Sequence, residues 1–280
     1  MTALDAVAFV FPGQGSQSVG MGRDLFDASP EVRALFAEAD RTLGYDLSRI
    51  IFEGPEEALR RTANTQPALL VVSTALYRLL DLTPAAVAGH SLGEYTALVA
   101  AGALSFADAV RLVHHRGRYM QEAVPEGEGL MLALMGVETD VIERAGARQV
   151  VELPVSAPFH SRLMLPAEKR LRVDLGQTAF GDLAIPLYTN VDAKRITTAA
   201  EARDALARQV SRSVRWTHLI QAMIAGESID TFVEIGPGTV LSGLIRRIDR
   251  NVRRFSVNDL ATLESVRTTL PTARPGSGLS

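Results

Sequence analysis

Short apolar runs alternate along the chain with longer stretches in which apolar residues recur every three or four positions. The runs 6–11 (AVAFVF), 85–89 (AAVAG), 130–137 (LMLALMGV), 186–191 (PLYTNV) and 230–236 (DTFVEIG) are short and apolar, and they predict strands. Helices are predicted over 29–44, 65–80, 92–102 and 105–124, and further on at 199–211, 216–225 and 239–249. The first of these carries a full set of boundary signals: Ser29 as cap, Pro30 at the first helical position, Gly44 as stop. Strands alternating with helices predict an α/β fold, a mostly parallel sheet with helices on both faces. No internal repeat interrupts the alternation.

Composition narrows the picture. A chain of 280 residues, 47% hydrophobic and 22% charged, can bury one large α/β core or two smaller ones. A formal net charge of −3 and the lack of a basic block give no reason to expect nucleic acid or a membrane as partner. Cysteine is absent, which removes disulfides, thiolate metal sites and cysteine nucleophiles. The stretch MTALDAVAFVFPGQG lacks the features of a secretory signal, and no apolar run reaches membrane-spanning length, so a soluble, cytoplasmic protein is expected.

The candidate chemistry begins in AVAGHSLGEYTALVAAG, residues 86–102. Gly89-His90-Ser91-Leu92-Gly93 has the G-x-S-x-G pattern of a nucleophile elbow, with a predicted strand before it and a predicted helix after it. A serine in such a turn sits at a helix N-terminus, where the Leu92 N–H can stabilise an oxyanion. The bland alternative is a turn that merely feeds a helix. Of the five histidines, His90 is expected to pack, His114 and His115 to lie on the solvated side of a helix, and His218 at the surface. His160 stands in an irregular segment, LPVSAPFHSRLM, and is the candidate base. An acid is harder to find. Asp192, Asp230 and Glu234 all follow His160, against the usual order of hydrolase triads. A carbonyl could orient the imidazole instead, since Nδ1–H needs only an acceptor.

Arg116 is the other anomaly. Phe106, Ala109, Val110, Val113 and Met120 form the apolar stripe of the 105–124 helix, and Arg116 falls on its shoulder, beside Gly117. An internal ion pair or a snorkelling side chain would explain it. So would a bidentate clamp for a substrate carboxylate.

The stretches FVFPGQGSQSVGMG (9–22), TQPALL (65–70), AGHSLGEYTALVAAGALSFADAVRLVHHRGRYMQEAVPEG (88–127), LPVSAPFHSRLM (153–164) and VEIGPGTVLSGLIRRI (233–248) together resemble the malonyl-CoA:acyl carrier protein transacylase family, which includes acyltransferase domains of fatty acid and polyketide synthases. The resemblance implies a hydrolase-like α/β catalytic subdomain from residues 1–127 and 157–269, a reduced ferredoxin-like small subdomain at 128–156, and a disordered tail at 270–280. It implies that Ser91 is the acylated nucleophile, His160 its base, and Gln14 with Leu92 the oxyanion hole. Gln209 would accept His160 Nδ1–H on its main-chain carbonyl, making a dyad rather than a triad. Arg116 would pair with the malonyl carboxylate, Gln66 would line the site, and Phe159 would mark the malonyl-selective form. Malonyl-CoA and phosphopantetheinylated acyl carrier protein would be the substrates, with no cofactor or metal, and the protein would be a monomer. The chain departs from the family in the segment 131–156, which lacks a few tens of residues and an asparagine-containing loop, and in a short turn at 78–87. Two other readings remain beside it: a serine esterase or thioesterase, and a low-activity module that binds a carrier protein.

Overall fold

The computed structural model describes residues 2–124, 132–135, 149–152 and 158–270. The remainder of the 128–156 segment, where a reduced small subdomain is expected, and the tail 271–280 lie outside the described residues. The strands are β1 (Thr2–Phe11), β2 (Leu82–Gly89), β3 (Leu132–Met135), β4 (Gln149–Glu152), β5 (Leu187–Tyr188), β6 (Arg195–Ile196), β7 (Thr231–Ile235) and β8 (Arg253–Val257). Six of them form one sheet in the order β6-β5-β2-β1-β7-β8, parallel throughout except for the β5–β6 pair. β3 and β4 form a separate antiparallel pair.

The helices are α1 (Arg23–Ala28), α2 (Pro30–Leu43), α3 (Leu47–Glu53), α4 (Glu56–Arg60), α5 (Thr62–Leu80), α6 (Gly93–Ala100), α7 (Phe106–Glu122), α8 (Leu165–Gln177), α9 (Ala199–Gln209), α10 (Trp216–Glu227), α11 (Val240–Ile248) and α12 (Leu260–Thr269). The boundary signals of α2 act as read: the Ser29 hydroxyl accepts from the Val32 N–H, and Gly44 closes the helix at φ 75°. The strand expected at 186–191 is only two residues long, because the chain leaves the sheet after Tyr188 to deliver Asn190 to the site. β8 and α12, and the short helices α1, α3 and α4, are additions to the predicted pattern. Among the described residues, no helix is long and apolar enough to cross a membrane.

Alternation along β1 sends side chains into two cores, one on each face of the sheet. Phe9 and Phe11 enter the larger core, with Leu70, Val71, Leu98, Val113 and Leu171 of the surrounding helices. Ala8 and Val10 enter the smaller one, with Trp216, Leu219 and Ile220 of α10 and Ile245 of α11. Ala86 and Ala88 of β2 keep that face shallow, so α10 can lie close to the sheet.

One seam holds the chain together on either side of the segment 125–157. Tyr119 and His115 of α7 both reach the same oxygen of Asp174 on α8, each at 2.9 Å. The Arg170 guanidinium lies over the Tyr119 ring at 3.9 Å and pairs with Glu122.

The elbow between β2 and α6 is packed backbone to backbone. A methyl group added at Gly93 would lie 2.0 Å from the Phe11 carbonyl oxygen, and one at Gly89 would lie 1.9 Å from the Gly93 carbonyl carbon. Both clashes are with main chain, which cannot swing aside. Gly93→Ala is therefore expected to destabilise the fold by about 1–3 kcal/mol or more. Gly243→Ala, on α11 with open space around it, should be neutral or gain up to about 1 kcal/mol. Urea unfolding midpoints of the two variants check the contrast; a tolerated Gly93→Ala would contradict the close approach.

Candidate active site

The site lies at the C-terminal ends of the parallel strands. β1 leads into Pro12–Gly15, β2 into His90 and Ser91, and β5 into Asn190. Open α/β sheets offer a crevice there, because the connections that leave the strands diverge.

Ser91 sits in the left-handed region at φ 52°, and His160 does so too at φ 57°. Neither residue type favours that conformation, so both are held by their surroundings. The hold on Ser91 comes from Asn190. Its Oδ1 accepts the Ser91 N–H at 2.7 Å, and its Nδ2 donates to the Gly89 carbonyl at 2.6 Å. Asn190 itself is fully buried. Next along the turn, Gly93 N–H donates to the His90 carbonyl. The Leu92 N–H between them, and the Gln14 N–H beyond the end of β1, donate to no described residue. Phe11 and Gly89 are paired in register, so these two free donors each come three residues after a paired position on adjacent strands. The Gln14 side chain donates to the Thr62 hydroxyl at 3.4 Å.

His160 Nε2 lies 2.7 Å from Ser91 Oγ, and Nδ1 lies 2.9 Å from the Gln209 main-chain carbonyl. A carbonyl can only accept, so the proton sits on Nδ1 and the lone pair of Nε2 faces the hydroxyl. Burial, with the nearby Arg116 charge adding to it, pushes the imidazole down to about 3, so it is neutral at physiological pH. The three late acids are all engaged elsewhere. Asp192 pairs with Arg208, Asp230 with Arg253, and Glu234 accepts from the N–H groups of Leu241 and Ser242.

Arg116 is 1% exposed. Its Nη1 donates to Gln66 Oε1 at 2.7 Å, and its Nη2 donates to Gln209 Oε1 at 2.9 Å and to Ser91 Oγ at 3.0 Å. Every one of these partners is neutral, so the internal ion pair and the snorkelling side chain are both replaced by a buried cation in a cradle of amide oxygens. Its Nε–H has no hydrogen-bond partner among the described residues. Gln66 and Gly117 explain how α5 and α7 come close enough to build the cradle: a methyl at Gly117 would lie 2.5 Å from the Thr62 carbonyl.

Phe159 is buried in the larger core beside His160. His90 packs edge-on against Trp216, and its burial lowers it to about 4. His218 is exposed. His114 and His115 differ from expectation: both are half-buried, one against the Ala63 carbonyl at 3.0 Å and the other against Asp174. Sequence reasoning missed Asn190 and Glu94, and it missed the side chain of Gln209. Among the described residues, no three of the His, Asp and Glu side chains converge in a way that could hold a metal ion.

This geometry can be set beside known proteins. Residues 8–152 match the acyl transferase domain family. The malonyl CoA-acyl carrier protein transacylase of Bacillus subtilis is 40% identical, over 95% of this chain and 98% of its own length. The chain belongs to the malonyl CoA-acyl carrier protein transacylase family. It is thus an acyltransferase. An acyl carrier protein S-malonyltransferase from Vibrio cholerae, solved at 1.7 Å, superposes with a TM-score of 0.89 at 40% identity, over 93% of this chain and 99% of that one. A malonyl-transacylase solved in complex with a holo type II PKS acyl-carrier protein superposes with a TM-score of 0.88 at 40% identity, over 94% and 99%. The Bacillus match runs over 311 positions, more than the 280 residues of this chain, so that relative carries residues absent here.

The His160 environment yields a direct expectation. In an NMR pH titration its ring signals should show the neutral Nδ1–H tautomer from pH 8 down to pH 5, because the folded state holds the group below its ordinary value of 6.5. A midpoint near 6.5 would contradict the burial and the cationic neighbour.

Proposed function

We propose that the protein moves a malonyl group from malonyl-CoA to the phosphopantetheine thiol of an acyl carrier protein, through a malonyl ester on Ser91. The observation that carries this reading is Arg116. A guanidinium shut away from water, in contact with the Ser91 hydroxyl, hydrogen-bonded to neutral oxygens and with Nε–H unpartnered among the described residues, is a receptor for an anionic group at the far end of a short acyl chain. Malonyl has that group and acetyl does not. The relatives' names supply the donor and the acceptor.

In the first half-reaction Ser91 Oγ attacks the thioester carbonyl while His160 Nε2 takes its proton. The tetrahedral oxyanion accepts from the N–H groups of Leu92 and Gln14. The intermediate collapses, the C–S bond breaks, and the departing CoA sulfur takes the proton from His160. In the second half-reaction the carrier protein's thiol gives its proton to His160 and attacks the ester. Ser91 leaves and recovers the proton. The Gln209 carbonyl stabilises the imidazolium formed in each half-reaction by accepting its Nδ1–H. Gln66 holds one end of the guanidinium, and Phe159 closes the apolar wall beside the acyl chain.

A serine esterase would need an acid at Nδ1 and an apolar acyl pocket. The acceptor at Nδ1 is a carbonyl and the group beside Ser91 is a cation, which argue against it.

Intact mass after incubation with malonyl-CoA should show one malonyl adduct, absent in Ser91→Ala. His160→Ala should slow both half-reactions by about two to four orders of magnitude. Arg116→Ala should lower kcat/KM for malonyl-CoA by about 2–5 kcal/mol in transition-state terms, with little loss for acetyl-CoA; Arg116→Lys should recover only part, since lysine lacks the planar fork. Hydrolysis without an adduct would favour the esterase, and no reaction would favour a carrier-binding module. Equal losses for both thioesters would make Arg116 a purely structural cation.

A further inference from the structure

Glu94 follows Ser91 by three residues, in the first turn of α6. By sequence it is an ordinary acidic residue at a helix N-terminus, expected in water. The fold puts it elsewhere. It is 1% exposed, and one of its oxygens, Oε2, accepts from the Asn190 N–H at 3.0 Å and from Gln209 Nε2 at 2.8 Å. No cation lies within ion-pair distance of it among the described residues. The Gln209 amide joins it to Arg116: its Nε2 donates to Glu94, and its Oε1 accepts from Arg116 Nη2 at 2.9 Å. Carboxylate, amide and guanidinium thus form one line of hydrogen bonds. The donation of Nε2 to the Ser91 carbonyl at 2.8 Å keeps the amide from turning over.

We propose that Glu94 is the resident counter-charge of Arg116, relayed through the Gln209 amide, and that Glu94 takes up a proton when an acyl group bearing its own carboxylate engages Arg116. The proposal rests on the malonyl reading above. Its logic is charge balance. One buried cation and one buried carboxylate are neutral together; a second carboxylate leaves the cluster with an uncompensated negative charge, which a low-dielectric interior disfavours. The ligand's carboxylate touches the guanidinium directly, whereas Glu94 acts through an amide, so Glu94 is the one to be neutralised. Burial already pushes Glu94 up to about 7, against the hydrogen bonds of Gln209 and Asn190 and the charge of Arg116. The other charged groups around it do not offer a competing site. Asp192, beyond β5, is tied to Arg208 of α9, whose guanidinium also holds Asp204. Tyr95, on the same helix, is pushed further up by burial, and His160 is held neutral. Glu94 would then be a residue that sets specificity, and acyl groups without a carboxylate would leave its proton unmoved.

The test is calorimetric binding of malonyl-CoA and acetyl-CoA to the Ser91→Ala variant, which cannot be acylated, in buffers of different ionisation enthalpy. Acetyl-CoA controls for the shared nucleotide phosphates, and the malonyl carboxylate is fully ionised across the range. Near pH 8 malonyl-CoA should take up approaching one proton more than acetyl-CoA, and its affinity advantage should fall by up to about tenfold per pH unit. With Glu94→Gln added, which keeps an acceptor oxygen and removes the charge, the extra proton and the pH slope of the advantage should both vanish. Equal proton counts for the two ligands, with malonyl-CoA still the tighter, would overturn the relay and leave the malonyl reading standing. An extra proton that persists in Glu94→Gln would assign it to another group and overturn the proposal. No preference for malonyl-CoA at any pH would overturn both. If Glu94→Gln fails to fold, equal proton counts in the single variant still overturn the proposal, and an extra proton must come with a new protonated-carboxyl infrared band on malonyl-CoA binding that acetyl-CoA does not produce; its absence overturns the proposal.

Discussion

A positive charge removed from water is what the centre of this molecule is arranged around. Arg116 cannot shed its proton, and burial without partners would cost several kcal/mol. The fold meets that cost with neutral oxygens from three separate pieces of chain: Gln66 on α5, Gln209 at the end of α9 and Ser91 after β2. Those contacts are long-range in sequence, so the cradle exists only when α5, α7 and α9 are docked together. The Ser91 hydroxyl, the nucleophile of the proposed reaction, is itself one of the cradle's oxygens. Anything that moves the guanidinium therefore bears on the serine hydroxyl, and in the proposed reaction recognition of the acyl group would be built into the position of the attacking atom.

The second constraint is the elbow. Ser91 and His160 both stand in conformations that non-glycine residues rarely take, and each is pinned by a hydrogen bond: Ser91 by the Asn190 side-chain amide, His160 by the Gln209 main-chain carbonyl. Gln209 contributes at both ends. Its carbonyl fixes the histidine tautomer while its amide orients Arg116, so one residue couples His160 to Arg116. A preorganised arrangement of this kind needs little rearrangement when charge develops.

What could be read from the chain was whatever has a local signature. The elbow announces itself through glycine spacing between a strand and a helix, and Arg116 through a charge on the wrong side of an amphipathic stripe. The alternation of β1 and β2 with helices gave the parallel sheet. Other features have no such signature. A main-chain carbonyl is the same in every residue, so the acceptor at Nδ1 was reachable only through family resemblance. Asn190 reads as a loop residue after a short strand, and Glu94 as a helix-start acid; their burial comes from the docking of α9 and of the chain after β5. β8, with the sequence RRFSV, lies at the sheet's edge and is only partly buried, so its pattern is weak. α12 does carry a local signal, the Asp259–Thr262 capping box.

The seam between α7 and α8 has a consequence for how such chains diversify. Arg116 belongs to α7, and His160 enters just ahead of α8, so these two side chains are registered by helix-to-helix contacts at Tyr119, His115 and Asp174 as well as by the covalent path between them. Closing a longer or shorter path across a fixed gap costs only a logarithm of its length, roughly 0.6 kcal/mol for each doubling. The length of the connection between α7 and the residues that lead into α8 is thereby a weak determinant of how Arg116 and His160 are spaced. The length of the connection can thus change between related chains while the contacts that register Arg116 against His160 stay in place.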